Sequence, residues 1–283
     1  MKYNKQHFTG ERALFKQNNI EIDNCLFDDG ESPLKEGNNI TVANSTFGYK
    51  YPLWYGNNHK VNDCTFLEMS RSGIWYTNNS TFKNLNLIAP KLFRRCENIL
   101  IEDCEFKHAS ETLWTCSNVK LNNLTINEGD YFGKDSSFIE ASNITLNGNY
   151  CFDGGHDIKV SNSTFYSKDA FWNCNNAIIE NSKIIGEYFG WNSKNITLKN
   201  CHIESHQGFC YIENLTLIDC TISNSDLIFE YCKNINITVD SDIDSVKNPI
   251  SGNIICNSIK ELILDDNNID FNNVNIKELK NEF

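Results

Sequence analysis

Four charged residues in and around one recurring segment have the chemistry of a catalytic site. They are Arg94, Asp135, Asp153 and Asp169, and each lies in or just before a short aromatic stretch that recurs about every 20 residues. Two carboxyl groups flanking a glycosidic bond can act as acid and base in its hydrolysis. A carboxylate-bound Ca²⁺ with an arginine base could instead drive β-elimination on a uronate. Loop charges are most often solvated surface, so a catalytic role and a plain surface role both stay open.

All five tryptophans occupy one position of this aromatic stretch, the position that Arg94 and Asp153 also hold. The preceding position is apolar throughout, and adjacent residues of a strand face opposite sides, so we expect the tryptophans on the outer surface. Exposed indoles can stack on sugar rings and donate their N–H groups. The predicted substrate-binding residues are Arg71, Trp54, Trp75, Trp114, Trp172 and Trp191.

A second arrangement competes with this surface, in which the tryptophans face the core or are covered by loops. If the apolar position points inward, strict alternation also turns Arg95, Glu140 and Asn173 inward, which is costly for unpaired polar groups. The spacing changes near the middle of the chain, with a long segment before Cys151 and a short one after it. Breaks in a repeat often map to the binding face, so we expect the site near Asp153.

The elements that position these residues come from an internal repeat, visible in Asn19–Phe27, Asn39–Phe47 and Asn195–Ile203. Each unit begins with a strand whose apolar residues alternate at period two, which indicates a half-buried strand. A second short strand and the aromatic third strand follow. The pattern predicts an all-β, single-stranded parallel β-helix of about thirteen coils of about 20 residues. We expect one domain over 1–283, with residues 1–17 and 270–283 as caps and 18–269 as coils.

Asparagine recurs in two columns, because Asn tolerates left-handed backbone and bonds its own turn. Amides stacked from coil to coil can also form a side-chain ladder. The first column is interrupted at Asp157, and the second contains several aspartates. The first column is predicted as Asn19, Asn39, Asn58, Asn79, Asn98, Asn118, Asn143, Asn176, Asn195, Asn214 and Asn234, and the second runs from Asn24 and Asn44 to Asp219 and Asp240.

The twelve cysteines also fall in columns, such as Cys25, Cys64 and Cys104, where small residues pack in the core. We therefore predict reduced thiols rather than disulfides, and no zinc site, because no Cys-x-x-Cys pair occurs. His59 falls in a core column and is predicted to be a buried, satisfied histidine. The stretch 154–157 is only faintly similar to a calcium-binding β-roll repeat, and a single copy cannot build such a site. No cofactor is predicted, with Ca²⁺ as the alternative.

Composition excludes several classes of protein. The formal net charge is −12 and no basic stripe occurs, which argues against a nucleic-acid partner. No apolar run approaches the ~20 residues that span a bilayer. The polar N-terminus lacks the apolar stretch of a signal peptide, so we expect a cytoplasmic protein without a membrane partner.

The repeat and its asparagine columns resemble the right-handed, pectate-lyase-like parallel β-helix superfamily over nearly the whole chain. More narrowly, the segments Gly10–Phe15 and Lys91–Cys96 resemble a bacterial family of single-domain β-helix proteins, domain of unknown function 3737. The superfamily resemblance implies the fold and its right hand, and the narrower family implies no activity.

Two functions follow as hypotheses. The first is carbohydrate-directed: oligosaccharide binding, or a polysaccharide lyase or glycoside hydrolase, along an aromatic groove on the third strand. The alternative is a non-catalytic structural or protein-interaction rod, with a homodimer through the aromatic face.

Overall fold

The computed structural model describes residues 1–281 and divides the chain into two compact units, Met1–Gly148 and Asn149–Phe283. Each unit is an all-β parallel solenoid; together they contain about 15 turns of about 19 residues, against the thirteen predicted. The predicted C-terminal cap falls partly on Glu282 and Phe283, which lie outside the described residues.

The first unit contains thirteen strands and one 3₁₀ helix, Glu68–Ser70. The strands are β1 Lys2–Asn4, β2 His7–Phe8, β3 Asn18–Asp23, β4 Leu26–Phe27, β5 Asn38–Ala43, β6 Thr46–Phe47, β7 Lys60–Asn62, β8 Thr65–Phe66, β9 Ser80–Lys83, β10 Asn86–Leu87, β11 Glu97–Phe106, β12 Ser117–Ile126 and β13 Ser137–Asn147.

The second unit contains strands from β14 onward and two 3₁₀ helices, Phe271–Asn273 and Leu279–Asn281. The strands are β14 His156–Ser161, β15 Thr164–Tyr166, β16 Asn175–Glu180, β17 Lys183–Gly186, β18 Lys194–Lys199, β19 His202–Ser205, β20 Glu213–Ser223, β21 Ile235–Val239, β22 Asp242–Lys247, β23 Gly252–Cys256, β24 Ser258–Ile263 and β25 Val274–Glu278.

The first strand of each coil alternates as the sequence predicts. In β3 and β5, Ile20 pairs with Ile40 and Ile22 with Val42, and all four side chains are buried. The second strand adds a stack of phenylalanines, and the rings of Phe27 and Phe47 lie 5.0 Å apart at 10°. Strands β1 and β2 pair in register with β3 and β4, so residues 1–17 continue the ladder as a coil.

The third side of each coil is a series of turns rather than the predicted strand. Tyr55, Tyr76 and Arg95 have left-handed backbone with φ of 51° to 58°, and only isolated bridges join neighbouring coils there. Alternation does not carry through a left-handed residue, because the chain changes direction at it. The inward placement of Arg95, Glu140 and Asn173 that strict alternation implies is therefore wrong: Arg95 and Asn173 are exposed at these turns, and Glu140 is exposed in β13.

The asparagine ladder forms as predicted, with left-handed backbone at its members. The Asn39 amide donates to the side-chain oxygen of Asn19 at 3.0 Å, and Asn214 donates to Asn195 at 2.8 Å. These bonds connect residues about one coil apart, so each of them joins two neighbouring coils at the corner where the chain reverses.

One stretch near the middle is out of the predicted register. Ser117 and Val119 pair with Ser137 and Ile139, so Phe138 takes the place beside Asn118 in the first column. Asn143 lies between Ser142 and Ile144, in the second column. The prediction of Asn143 in the first column, and of a long coil followed by a short one, is therefore wrong. The repeat stays regular there because Phe138 adopts the left-handed conformation, with φ of 52°, that Asn adopts elsewhere.

The cysteines are free and buried, as the column pattern predicts. The Cys64 thiol donates to the carbonyl of Asn62 at 3.0 Å, and the Cys104 thiol to that of Glu102 at 3.1 Å. Burial raises the pKa of Cys64 to about 12, so this thiol stays protonated and packs as a small core residue.

Candidate functional site

The five tryptophans form an indole column (Trp54, Trp75, Trp114, Trp172, Trp191) whose members are half-buried. Every indole N–H donates to a backbone carbonyl of the next turn of chain. The bonds run from Trp54 to Ser72 at 2.5 Å, Trp75 to Lys91 at 2.9 Å, Trp114 to Tyr131 at 2.7 Å, Trp172 to Tyr188 at 2.6 Å and Trp191 to Gln207 at 3.0 Å. The expectation that these N–H groups serve a ligand is wrong, because the fold uses all five.

The ring faces in the first unit are also in contact with neighbours. Trp54 and Trp75 stack at 5.3 Å and 10°. The guanidinium of Arg94 then lies between two indoles, 4.9 Å from the centre of Trp75 and 4.3 Å from that of Trp114. Both faces of Trp75 are thus occupied, and only the outer ring edges face solvent.

Arg94 acts as a structural member of this stack. Its Nε and Nη2 each lie 3.3 Å from the Glu111 carbonyl oxygen, the bond that an indole N–H makes elsewhere in the column. Nη2 also pairs with Oε2 of Glu111 at 2.6 Å, and the side chain is 18% exposed. The catalytic role predicted for Arg94 would require it to leave two rings and a carboxylate.

The second unit repeats the stack without a cation. Trp172 and Trp191 lie 5.3 Å apart at 9°, and Tyr150 contacts Trp172 edge-on at 5.4 Å. Beyond the column, Tyr211 is 46% exposed and packs against Trp191 at 5.6 Å.

The predicted carboxylates differ in their surroundings. Asp135 is exposed, as is Arg71. Asp153 is 8% exposed and accepts the Asn173 amide at 2.8 Å. Asp169 is 3% exposed, and burial raises its pKa while the Lys168 charge opposes the rise. Asp153 and Asp169 lie in the second unit, and Arg94 and Asp135 lie in the first.

His59 is buried as predicted, with 1% of its surface exposed, but neither ring nitrogen has a hydrogen-bond partner. The prediction of a satisfied histidine is therefore wrong. Burial lowers the pKa of His59 to about 4, because the imidazolium ion is poorly solvated in the core.

A shallow groove of about 540 Å³ crosses the outer face of the second strands in the second unit. Thr164, Lys183, His202 and Thr221 follow one another in register across β15, β17, β19 and β20. A second row beside them contains Tyr166, Ile185, Glu204 and Ser223. The groove is also lined by the corner residues Asn162, Asn181, Asn200 and Asp219.

Two groove residues, His202 and Thr221, belong to a cluster with Glu204 that sequence reasoning missed. His202 contacts Thr221 through Nδ1 at 2.8 Å and Glu204 through Nε2 at 3.2 Å. In the sequence these residues are ordinary outward polar positions. The available signal is their spacing of two within β19 and 19 to the next coil, which places all three on one sheet face.

Among residues 1–281, no helix has the length and apolar character needed to cross a membrane. The same residues contain no group of three or more His, Cys, Asp or Glu arranged to hold a metal ion.

Comparison with solved structures finds similar parallel β-helix proteins at low identity. The HK620 tailspike of an E. coli bacteriophage, in complex with a hexasaccharide, has a TM-score of 0.39 at 11% identity, covering 87% of this chain and 59% of the tailspike chain. PfbA, a surface adhesin of Streptococcus pneumoniae, has a TM-score of 0.38 at 11% identity, covering 82% and 72%. The A-module of the mannuronan C-5 epimerase AlgE6 of Azotobacter vinelandii has a TM-score of 0.37 at 11% identity, covering 98% and 87%.

No curated protein matches the sequence. One family matches residues 1–277, Protein of unknown function (DUF3737), in agreement with the resemblance carried by Gly10–Phe15 and Lys91–Cys96. The regular coils, the asparagine ladder and this match together assign the chain to the DUF3737 family.

Proposed function

We propose that the protein binds an oligosaccharide, and that the ligand lies in the polar groove of the second unit. The observation that carries the proposal is the groove itself, in which amide, hydroxyl, imidazole and ammonium groups from four successive coils line one cavity of about 540 Å³. The finer predictions of a lyase or a glycoside hydrolase are not part of the proposal.

The lining suits a ligand rich in hydroxyl groups. Threonine hydroxyls donate and accept, amides do both, and Lys183 donates only, so each sugar hydroxyl can be matched in either role. Parallel strands place equivalent side chains about 4.8 Å apart. An extended chain of sugar rings therefore meets a similar set of groups at each coil.

One aromatic ring borders this face. Tyr166 lies on the same side of β15 as Thr164 and is 47% exposed. An exposed tyrosine ring can pack against the apolar face of a sugar, and its hydroxyl remains available. Ile185 is the next residue in its row and is half-buried, so Tyr166 and Ile185 together offer an apolar margin beside the polar row.

The test is isothermal titration calorimetry of the whole protein with defined neutral, uronate and O-acetylated hexasaccharides. We expect Tyr166→Ala to weaken binding roughly tenfold, which is the effect of about 1.4 kcal/mol. Thr164→Val should weaken it less. The matched control is Thr46→Val, because Thr46 holds the corresponding outward position in β6 of the first unit.

A second variant separates the groove from the aromatic surface predicted from the sequence. Tyr55 is 48% exposed beside the indole column of the first unit and stacks on Tyr76 at 4.7 Å. If Tyr55→Ala weakens binding and Tyr166→Ala does not, the ligand lies along the outer edges of the indole column and the groove proposal is wrong. Absence of binding to all three glycan classes would favour the structural or protein-interaction rod.

A further inference from the structure

A hydroxyl and an imidazole that line the groove contact each other, and a carboxylate of the neighbouring row contacts the same imidazole. Oγ1 of Thr221 is 2.8 Å from Nδ1 of His202, and Nε2 of the same ring is 3.2 Å from Oε1 of Glu204. Thr221 is exposed to solvent, whereas His202 and Glu204 are half-buried on the same sheet face. The three residues come from two neighbouring coils, β19 and β20, whose register places His202 beside Thr221.

The direction of the protons follows from the chemistry of the groups. An ionised carboxylate only accepts hydrogen bonds, so Nε2 of His202 must carry the proton that faces Glu204. A neutral imidazole has one N–H, so Nδ1 then has the free lone pair. The Thr221 hydroxyl therefore donates to Nδ1, which is the arrangement in which a base withdraws a proton from a nucleophile.

Glu204 is held in its ionised form by three neighbours. Besides His202, the Asn224 amide donates to Oε2 at 3.1 Å and the Lys183 ammonium lies 3.6 Å from Oε1. The hydrogen bond from His202 is the largest influence holding the pKa of Glu204 below its usual value. A charged Glu204 fixes the ring orientation and stabilises the imidazolium that forms when His202 accepts a proton.

We propose that Thr221 is a nucleophile for acyl transfer, with His202 as its base and Glu204 as the positioning residue, and that the substrate is an O-acylated oligosaccharide. The choice of an oligosaccharide rests on the proposed function, whereas the acyl-transfer chemistry rests on the three side chains alone.

The reaction balances without a further co-reactant. Oγ1 of Thr221 attacks the ester carbonyl carbon as its proton moves to Nδ1 of His202. The tetrahedral intermediate expels the sugar alkoxide, which takes that proton and leaves as an alcohol, and the acyl group stays on Thr221. Water then attacks the acyl-threonine, with His202 again taking and returning the proton, and releases the carboxylic acid. Lys183, in register with His202, is the neighbouring cation that would stabilise the developing oxyanion.

Two nearby groups make the assignment specific. Ser223 lies 3.5 Å from Nε2 of His202, on the nitrogen that faces Glu204, so its hydroxyl does not meet the free lone pair. His206 and Asp226 form another exposed imidazole–carboxylate pair on this unit. That pair is a control for the ester cleavage that any surface histidine can catalyse.

The test uses the whole protein and two probes, p-nitrophenyl acetate and an O-acetylated xylo-hexasaccharide, with product release and the mass of the tryptic peptides as readouts. We expect an acetyl group on the peptide that contains Thr221. Thr221→Val should abolish acylation and turnover, and Thr221→Ser should retain both. His202→Gln should lower turnover roughly 100-fold or more, as for the loss of a general base.

The positioning role of Glu204 has its own readout. Glu204→Gln should lower kcat for the hexasaccharide and leave KM within about twofold, because the amide still fills the site but cannot stabilise the imidazolium. A merely structural role would change KM as well. His206→Gln should leave both constants unchanged, and circular dichroism of each variant checks that it is folded.

Each outcome decides one of the two claims. Turnover that survives Thr221→Val, or acetylation at lysines only, would overturn the acyl-transfer centre. Hexasaccharide binding without turnover of either probe would overturn it too, and would leave the proposed binding function standing. Cleavage of the nitrophenyl ester without hexasaccharide binding or turnover would overturn the sugar substrate together with the proposed function.

Discussion

The two units differ at the same place in the repeat. In the first unit the indole column includes a cation, and Arg94 fills the gap between Trp75 and Trp114. In the second unit Trp172 and Trp191 stack directly, and Glu230, further along the same side, is buried and paired with Lys247 at 2.9 Å. Each coil has one equivalent side-chain position here. An aromatic ring, a cation or an acid can occupy it when neighbouring residues contact or pair with that side chain.

The units differ in one use of histidine and share another. His108 in the first unit and His156, His202 and His206 in the second lie at the surface beside acidic or hydroxyl partners, whereas the first unit also buries His59 without a partner. The same side chain is therefore a source of instability in the core and a source of chemistry at the surface. Burial and partners, rather than residue type, decide which.

The largest expected effect is a loss of stability on acidification, and it acts through His59 of the first unit. The pKa of His59 is about 4 in the folded protein, below its ordinary value of 6.5, so as pH falls the unfolded chain binds this proton first. Neutral His59 therefore costs no stability above pH 6.5, and the free energy of unfolding falls by about 3 kcal/mol through this group by pH 4. Urea unfolding at pH 7, 6 and 5 measures it, and His59→Leu should remove this part of the pH dependence. If the free energy of unfolding of the unaltered protein and of His59→Leu falls equally with pH, the expectation is contradicted.

Substitutions of Arg94 test whether stability requires a cation at this position of the stack or only a side chain that fills it. Arg94→Ala removes two cation–π contacts and the bonds to Glu111, and should lower the free energy of unfolding by about 2 kcal/mol. Arg94→Trp rebuilds the all-indole stack of the second unit and should cost less than about 1 kcal/mol. Denaturant titration of both variants decides: equal losses would mean that the position specifically requires arginine.

The smallest effect concerns a single indole bond. Trp172→Phe keeps a ring in the stack but deletes the N–H that donates to Tyr188 at 2.6 Å, so we expect a loss of about 1 kcal/mol. Trp172→Tyr is the matched variant, since it also lacks that N–H but keeps a polar ring substituent. An unchanged unfolding midpoint for Trp172→Phe would show that water satisfies the Tyr188 carbonyl without loss.

Much of the fold is readable from the sequence because its signals repeat. The alternation of Ile20 and Ile22, the asparagine corners and the cysteine columns each recur over many coils, so one ambiguous coil does not obscure the rest. The register failed where Phe138 takes a corner normally held by asparagine, because Asn143 supplied a match to the pattern five residues away. Periodicity alone could not separate the two columns at that point.

The site was harder to predict because it depends on backbone direction and on contacts between coils. The indole column was correctly identified as one set of positions, but its N–H bonds depend on left-handed residues such as Tyr55 that follow each ring. His202, Glu204 and Thr221 carry no local motif. Only the registration of β19 on β20 brings the hydroxyl to the imidazole, and that contact lies 19 residues apart in the chain.

The asparagine ladder has a consequence for how the chain reaches its structure. Asn39 bonds Asn19 and Asn214 bonds Asn195, so partners are separated by only about one coil of chain. Solenoids stabilised by nearest-neighbour interfaces can nucleate at any coil and grow by adding the next, and short sequence separation favours rapid folding. As the chain emerges from the ribosome, each new coil can dock on the one before it, and no segment has to wait for the end of synthesis to find its partner.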